Sequence, residues 1–239
     1  MSDNGIPGRK RKNEHSDGDS DVDEIGDNHY GSGIETPLRS DAFELSDEEK
    51  VEQIAEKFRD IMKIMGMDLR DDSLEGTPDR VAKMFVKELF YGLKPENKPE
   101  PRVFDNSYRY GEMLVEKNIS VFSACEHHFL PMVGKAHVAY ISNGHVIGLS
   151  KINRIVDYFA RRPQVQERLT LQVANELKQA LDTEDVAVFI ECKHYCVIMR
   201  GVEDHGSTTV TSSFSGAFEK ENMKNQFMEA INHKLVQDD

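Results

Sequence analysis

Three cysteines in 239 residues are too few, and odd in number, to serve as a disulfide framework. No apolar run approaches the roughly 20 residues of a membrane span, and the N-terminus carries no signal-peptide core. Together these absences predict a soluble, cytoplasmic protein in a reducing compartment, with thiols left for a metal or for chemistry. Hydrophobic residues are also scarce, at 38%, so part of the chain is expected to stay unpacked. A basic excess is missing too. The formal charge is −13, which argues against a nucleic-acid surface.

The scarcity is concentrated at the N-terminus. Residues 1–45 hold eleven acids against five bases and the run "SDGDSDVDEIGD", with almost no aliphatic clusters. Such a segment buries too little apolar surface to offset the entropy of ordering it, and a disordered acidic tail is expected. Within it, Arg9, Lys10, Arg11 and Lys12 form a short basic run of the kind used for nuclear import, a pattern frequent in tails of any function. Residues 46–239 are expected to fold as one domain, opening with a helical segment over 46–94.

That segment carries clear start and stop signals. Ser46 with Glu49 is a capping box, and Val51, Ile54, Ala55, Phe58, Ile61, Met62 and Met65 recur at helical spacing until Gly66. A second helix is predicted from Thr77, as cap, with Pro78 in the first turn, running to Gly92. After the proline-rich "KPENKPEPR" the period changes to two over 113–123 and 133–142, predicting strands. Helices follow from Ser150 and from about 164, then a strand through "DVAVFIECKHYCVIM", a further strand in "STTVTSSF" and a last helix near 220–235. Antiparallel strands with helices grouped between them indicate an α+β domain.

The chemistry sits in "SVFSACEHHFLPMVGK", where four polar residues interrupt an apolar run. Cys125 and His128 have the Cys-x-x-His spacing with which a tight turn presents a thiolate and an imidazole to one zinc ion. Further candidates lie in "ECKHYC", where Cys192, His194 and Cys196 would share one face of a strand. Two cysteines and one histidine leave a fourth position for water, the pattern of a catalytic zinc. A buried thiol beside a surface histidine pair is the alternative. Histidines not used as ligands can move protons near neutral pH.

Two further stretches read less specifically. "GLSKINRIV" places Lys151 and Arg154 on the first turn of a helix, which fits either an anion site or a solvated basic face. In "RRPQVQERLT", Gln166 and Glu167 open another helix, where a carboxylate is usually a capping or dipole residue.

Taken together, "CEHHFLPMVGKAHVAYI", "VIGLSKINRIVDYFARRPQVQERLT", "HYCVIMRGV" and "TTVTSSFSGAF" resemble GTP cyclohydrolase I, in order, from about residue 46 to 235. The resemblance implies the tunnelling fold, an antiparallel sheet with helices on one side whose strands join those of neighbouring subunits into a barrel. It further implies a homodecamer of two face-to-face pentamers, with active sites at subunit boundaries and room for a feedback-regulatory protein. Cys125, His128 and Cys196 would be the zinc ligands, and His127 and His194 the proton-handling pair. Glu167, with Gln166 beside it, would hold the guanine edge; Ser150 would lie near the ribose; Lys151, Arg154 and Arg200 would meet the triphosphate. The implied reaction opens the imidazole ring of GTP, expels carbon 8 as formate, rearranges the ribose and closes a new ring. Its product is 7,8-dihydroneopterin triphosphate, the start of folate or tetrahydrobiopterin synthesis. Cys192 departs from the family pattern of a small residue, which reads as an inert thiol, with an alternative metal ligand as the other reading. Two rivals remain at this point: a zinc-free nitrile reductase on the same fold, using a cysteine nucleophile and a nicotinamide cofactor, and a non-enzymatic zinc-stabilised assembly module.

Overall fold

A computed structural model describes residues 33–233 of the chain; the basic run at 9–12 and the start of the expected tail lie outside them. The capping box forms as the sequence predicts. Ser46 Oγ accepts the Glu49 N–H at 3.2 Å and the Glu49 carboxylate accepts the Ser46 N–H at 2.8 Å, starting α1 (Asp47–Ile64). Past its end, Gly66 takes a φ of 81°, a conformation that costs a residue without Cβ little. A single turn, α2 (Asp72–Glu75), leads into α3 (Thr77–Met84). Gly76 rather than Thr77 is the N-cap, and the expected helix to Gly92 leaves α geometry at Phe85. Phe85–Leu89 form a π turn closed by the Phe90 N–H to Phe85 carbonyl bond of 3.0 Å. That wider turn stacks Phe85 on Phe90 at 5.5 Å and sets both rings against Phe129.

The strands follow as β1 (Val103–Asp105), β2 (Met113–Cys125), β3 (Pro131–Ile141) and β4 (His145–Ile147). Next come α4 (Leu149–Ala160), the two-residue β5 (Pro163–Gln164) and α5 (Gln166–Leu181). β6 (Val186–His194), the helical turn α6 (Tyr195–Ile198), β7 (Thr209–Phe214) and α7 (Glu221–Asn232) complete the described chain. The main sheet has the order β5-β2-β3-β6-β7, antiparallel except where β5 runs parallel to β2; β1 and β4 pair separately.

Helical periodicity decides which side chains meet the sheet. Ile152, Ile155, Val156 and Phe159 of α4 and Leu169, Val173, Leu177 and Leu181 of α5 share one core with Val121, Val138, Tyr140, Val188 and Ile190. Each such side chain contributes about 1.5–3 kcal/mol by leaving water. The expected grouping of helices on one side describes α4 and α5. Alternate strand residues, Ala139 and Ala187, face the other way and are small enough to admit Phe218 and Phe227, so α7 covers part of the second face.

Two features differ from the sequence reading. The strand through "ECKHYC" stops at His194, and Cys196 lies on α6 instead of sharing a strand face with Cys192. The period-two argument fails there because the backbone has already turned helical. Residues 33–45, expected to be unpacked, are held by the domain: Arg168 Nε donates to the Gly33 carbonyl at 3.1 Å and Gln172 Nε2 to that of Ile34 at 2.8 Å. Arg162 Nη1 also donates to Thr36 Oγ1 at 3.2 Å, and Lys50 Nζ to the Ala42 carbonyl at 2.9 Å. Among the described residues no helix is long and apolar enough to cross a membrane.

Candidate active site

The β2–β3 hairpin builds one half of the site. β2 ends at Cys125, and a tight turn over 126–128 is closed by the Phe129 N–H to Cys125 carbonyl bond of 2.8 Å. Phe129 adopts a φ of 55°, a strained value for a residue with a side chain, and its ring is held by Phe85 and Phe90. The turn lifts His127 and His128 out of the sheet, where both are exposed, while Cys125 stays buried. Cys125 Sγ lies 3.6 Å from His127 Nδ1.

α6 supplies the other half. Its Cys196 approaches Cys125 and His128 so closely that one ligand atom from each lies within 4.8 Å of the others. Two thiols and an imidazole at that spacing fit around a single ion, since metal–sulfur and metal–nitrogen bonds of about 2.3 and 2.1 Å place ligand atoms roughly this far apart. Burial first, and then the neighbouring Cys125, push the Cys196 thiol up to about 11. Cys192 takes no part. It is buried in the core opposite Gly134, with its thiol pushed up to about 12 by burial.

The first turn of α5 meets His194, two residues before Cys196. Gln166 is 1% exposed, and its Oε1 lies 2.8 Å from His194 Nε2; Glu167 next to it is exposed. Burial lowers the His194 ring below its ordinary range, and the Glu167 charge opposes that shift. Arg200 Nη1 sits 2.7 Å from His128 Nε2. Ser150, Lys151 and Arg154 stand on the opening turns of α4. The structure thus gathers Cys125, His128 and Cys196 with His127 and Arg200 beside them, joins His194 to Gln166, and leaves Ser150, Lys151 and Arg154 on α4, apart from Arg200, the third cation expected at the triphosphate.

One pair escaped the sequence reading. Arg168 is almost wholly buried, and its two terminal nitrogens grip the two carboxylate oxygens of Glu126, the longer contact being 3.3 Å. The pair locks the Cys-Glu-His-His turn to α5, and the Glu126 N–H to Gln164 carbonyl bond of 3.0 Å locks it to β5. A signal was present in the sequence, because Arg168 stands three residues after Val165 on the inward stripe of α5, where a charge needs a partner.

The profile of one known family, GTP cyclohydrolase I, matches residues 54–232, most of the chain. A GTP cyclohydrolase 1 of Flavobacterium johnsoniae is 60% identical over 210 residues, covering 88% of this chain and 94% of its own. The chain belongs to the GTP cyclohydrolase I family. Members from Enterobacter sp. and Salmonella gallinarum, also named GTP cyclohydrolase 1, are each 48% identical over 202 residues, covering 84% of this chain and 91% of theirs. The α+β sheet described above is the tunnelling fold of that family, and the chain is an enzyme of the GTP cyclohydrolase I class.

Proposed function

We propose that the protein converts GTP to 7,8-dihydroneopterin triphosphate with release of formate, at a zinc site made by Cys125, His128 and Cys196. The observation that carries the reading is the convergence of those three ligand atoms within 4.8 Å, from a hairpin turn and a helical turn far apart in sequence. Two soft sulfur ligands with one imidazole favour zinc over magnesium or calcium. When bound in such a three-ligand site, zinc supplies Lewis acidity to the ring-opening hydrolysis.

The chain's own residues supply the rest. His127, beside Cys125, and His194, held by Gln166, carry protons to and from the reacting purine and ribose. Glu167, exposed on the same turn as Gln166, accepts from the N1–H and 2-amino donors of guanine, a donor pair that adenine lacks. Ser150 is assigned to the ribose, and Lys151, Arg154 and Arg200 to the triphosphate. The first two of these cations open α4, where the helix start adds its own pull on an anion. The sheet has an open edge at β7, with Val210 exposed on it, which supports assembly through strand pairing into the family's decamer.

Incubating the zinc-loaded protein with GTP tests the reading, with formate and the fluorescence of the oxidised pterin as readouts. Glu167→Ala is expected to fold and keep its metal while losing most of its turnover. Normal formate release from that variant, with only a slightly lower melting temperature, would show Glu167 to be a helix-terminus charge. Absence of formate from the wild type would refute the reaction itself.

A further inference from the structure

The hydrogen bonds around Gln166 run in one consistent direction. Thr170 Oγ1 donates to the Gln166 main-chain carbonyl at 2.9 Å, which uses its single hydrogen. The 2.7 Å contact between Thr170 Oγ1 and Thr211 Oγ1 must then be donated by Thr211. With its own hydrogen so used, Thr211 Oγ1 is an acceptor for Gln166 Nε2 at 3.1 Å. The same Nε2 stands 3.0 Å from the Ile190 carbonyl and 3.0 Å from the Thr209 carbonyl, neither of which can donate. Three acceptors around one atom of the amide settle which end is nitrogen. The other end is therefore the oxygen, and it faces His194 Nε2 at 2.8 Å.

A carbonyl oxygen only accepts, so the hydrogen in that contact belongs to His194. In a neutral imidazole with hydrogen on Nε2, Nδ1 is the bare nitrogen. We propose that Gln166 is a positioning residue that fixes the tautomer and ring orientation of His194, keeping hydrogen on Nε2 and leaving Nδ1 as the basic atom of the ring. The direction of the whole network originates in main-chain carbonyls of α5, β6 and the start of β7, which cannot rotate to suit another tautomer. Because its amide is committed inside the protein, Gln166 serves the reaction through His194, and Glu167 is the member of the pair left to face the purine. The inference rests on the reading of His194 as a proton carrier in the reaction proposed above.

Histidine labelled with nitrogen-15 at both ring positions, in the zinc-loaded full-length protein, reports the tautomer by NMR, with a His194→Ala sample identifying the signals. The expected result is a protonated Nε2 and a bare Nδ1 at His194; hydrogen on Nδ1 overturns the proposal without any variant at Gln166. Gln166→Met keeps the volume and removes the acceptor. It is expected to give mixed His194 tautomers and a fall in kcat of about 10²-fold, within the range of general acid–base effects, with KM for GTP little changed. A raised KM in Gln166→Met with the tautomer unchanged would place Gln166 on the substrate and refute the assignment. Formate release by the wild type is measured in parallel: no formate, with Nε2 protonated, would refute the proposed reaction while leaving the tautomer assignment standing.

Discussion

At the scale of single residues, the two neighbouring cysteines of "ECKHYC" have opposite fates. Cys196→Ser removes a soft anionic ligand at nearly constant shape, and we expect zinc content and formate release to fall together. Cys192→Ala is expected to leave both close to normal, as metal analysis alongside the formate assay will show. A second reading comes from reactivity. With its thiol pushed up to about 12, Cys192 is almost wholly protonated at pH 8, so iodoacetamide should leave it unmodified in the native protein and reach it only on unfolding. Rapid native alkylation at Cys192 would contradict its place in the core. Spacing could name Cys125 and His128, because both lie on one local turn. It could not choose between Cys192 and Cys196, since that choice depends on where a strand gives way to a helical turn. The inward commitment of Gln166 was equally hidden, because main-chain carbonyls, its chief partners, look alike at every position of a sequence.

At the scale of elements, the Arg168–Glu126 pair joins α5 to the hairpin turn that carries two of the proposed ligands. Leaving one charge of a buried pair alone costs about 3–5 kcal/mol, and the lower end applies here because Glu126 keeps 21% of its side chain exposed. Arg168→Met should therefore lower the melting temperature and also weaken zinc binding, because the turn loses its anchor. Leu177→Ala, on the same helix but in the apolar core, should cost a comparable 2–5 kcal/mol, roughly, and leave zinc affinity unchanged. Equal zinc affinity in the two variants would mean that the ion pair only stabilises the fold. Most elements were legible in advance, since the capping box, the two periodicities and the apolar stripes each act locally. The π turn at Phe85–Leu89 was not, because its stacked rings are completed by Phe129, a residue brought to it only by the folded hairpin.

At the scale of the whole molecule, the chain starting at 46 is not equivalent to the chain starting at 33. Removing 33–45 deletes four hydrogen bonds to Arg168, Gln172, Arg162 and Lys50, three of them made by nearly buried side chains. At about 0.5–1.5 kcal/mol each, a loss of a few kcal/mol is expected, to be read by denaturant unfolding of the two proteins. An unchanged midpoint would show these contacts to be dispensable. Composition alone gave no warning of this docking, because the segment contributes mostly carbonyl oxygens. The cysteine–histidine cluster also has a meaning for the chain as a polymer. Cys125 and Cys196 bracket β3, β4, α4, β5, α5 and β6, so an ion held between them closes a loop that contains most of the sheet and both helices of the main core. A cross-link around a loop of this order restricts the unfolded chain by about 3–5 kcal/mol when it is permanent. An exchangeable ion acts instead through its concentration, adding about 2.7 kcal/mol at one hundred times its dissociation constant. The melting temperature should then climb with the logarithm of buffered zinc and drop on chelation, making the ion a reversible staple on the molecule that it equips for chemistry.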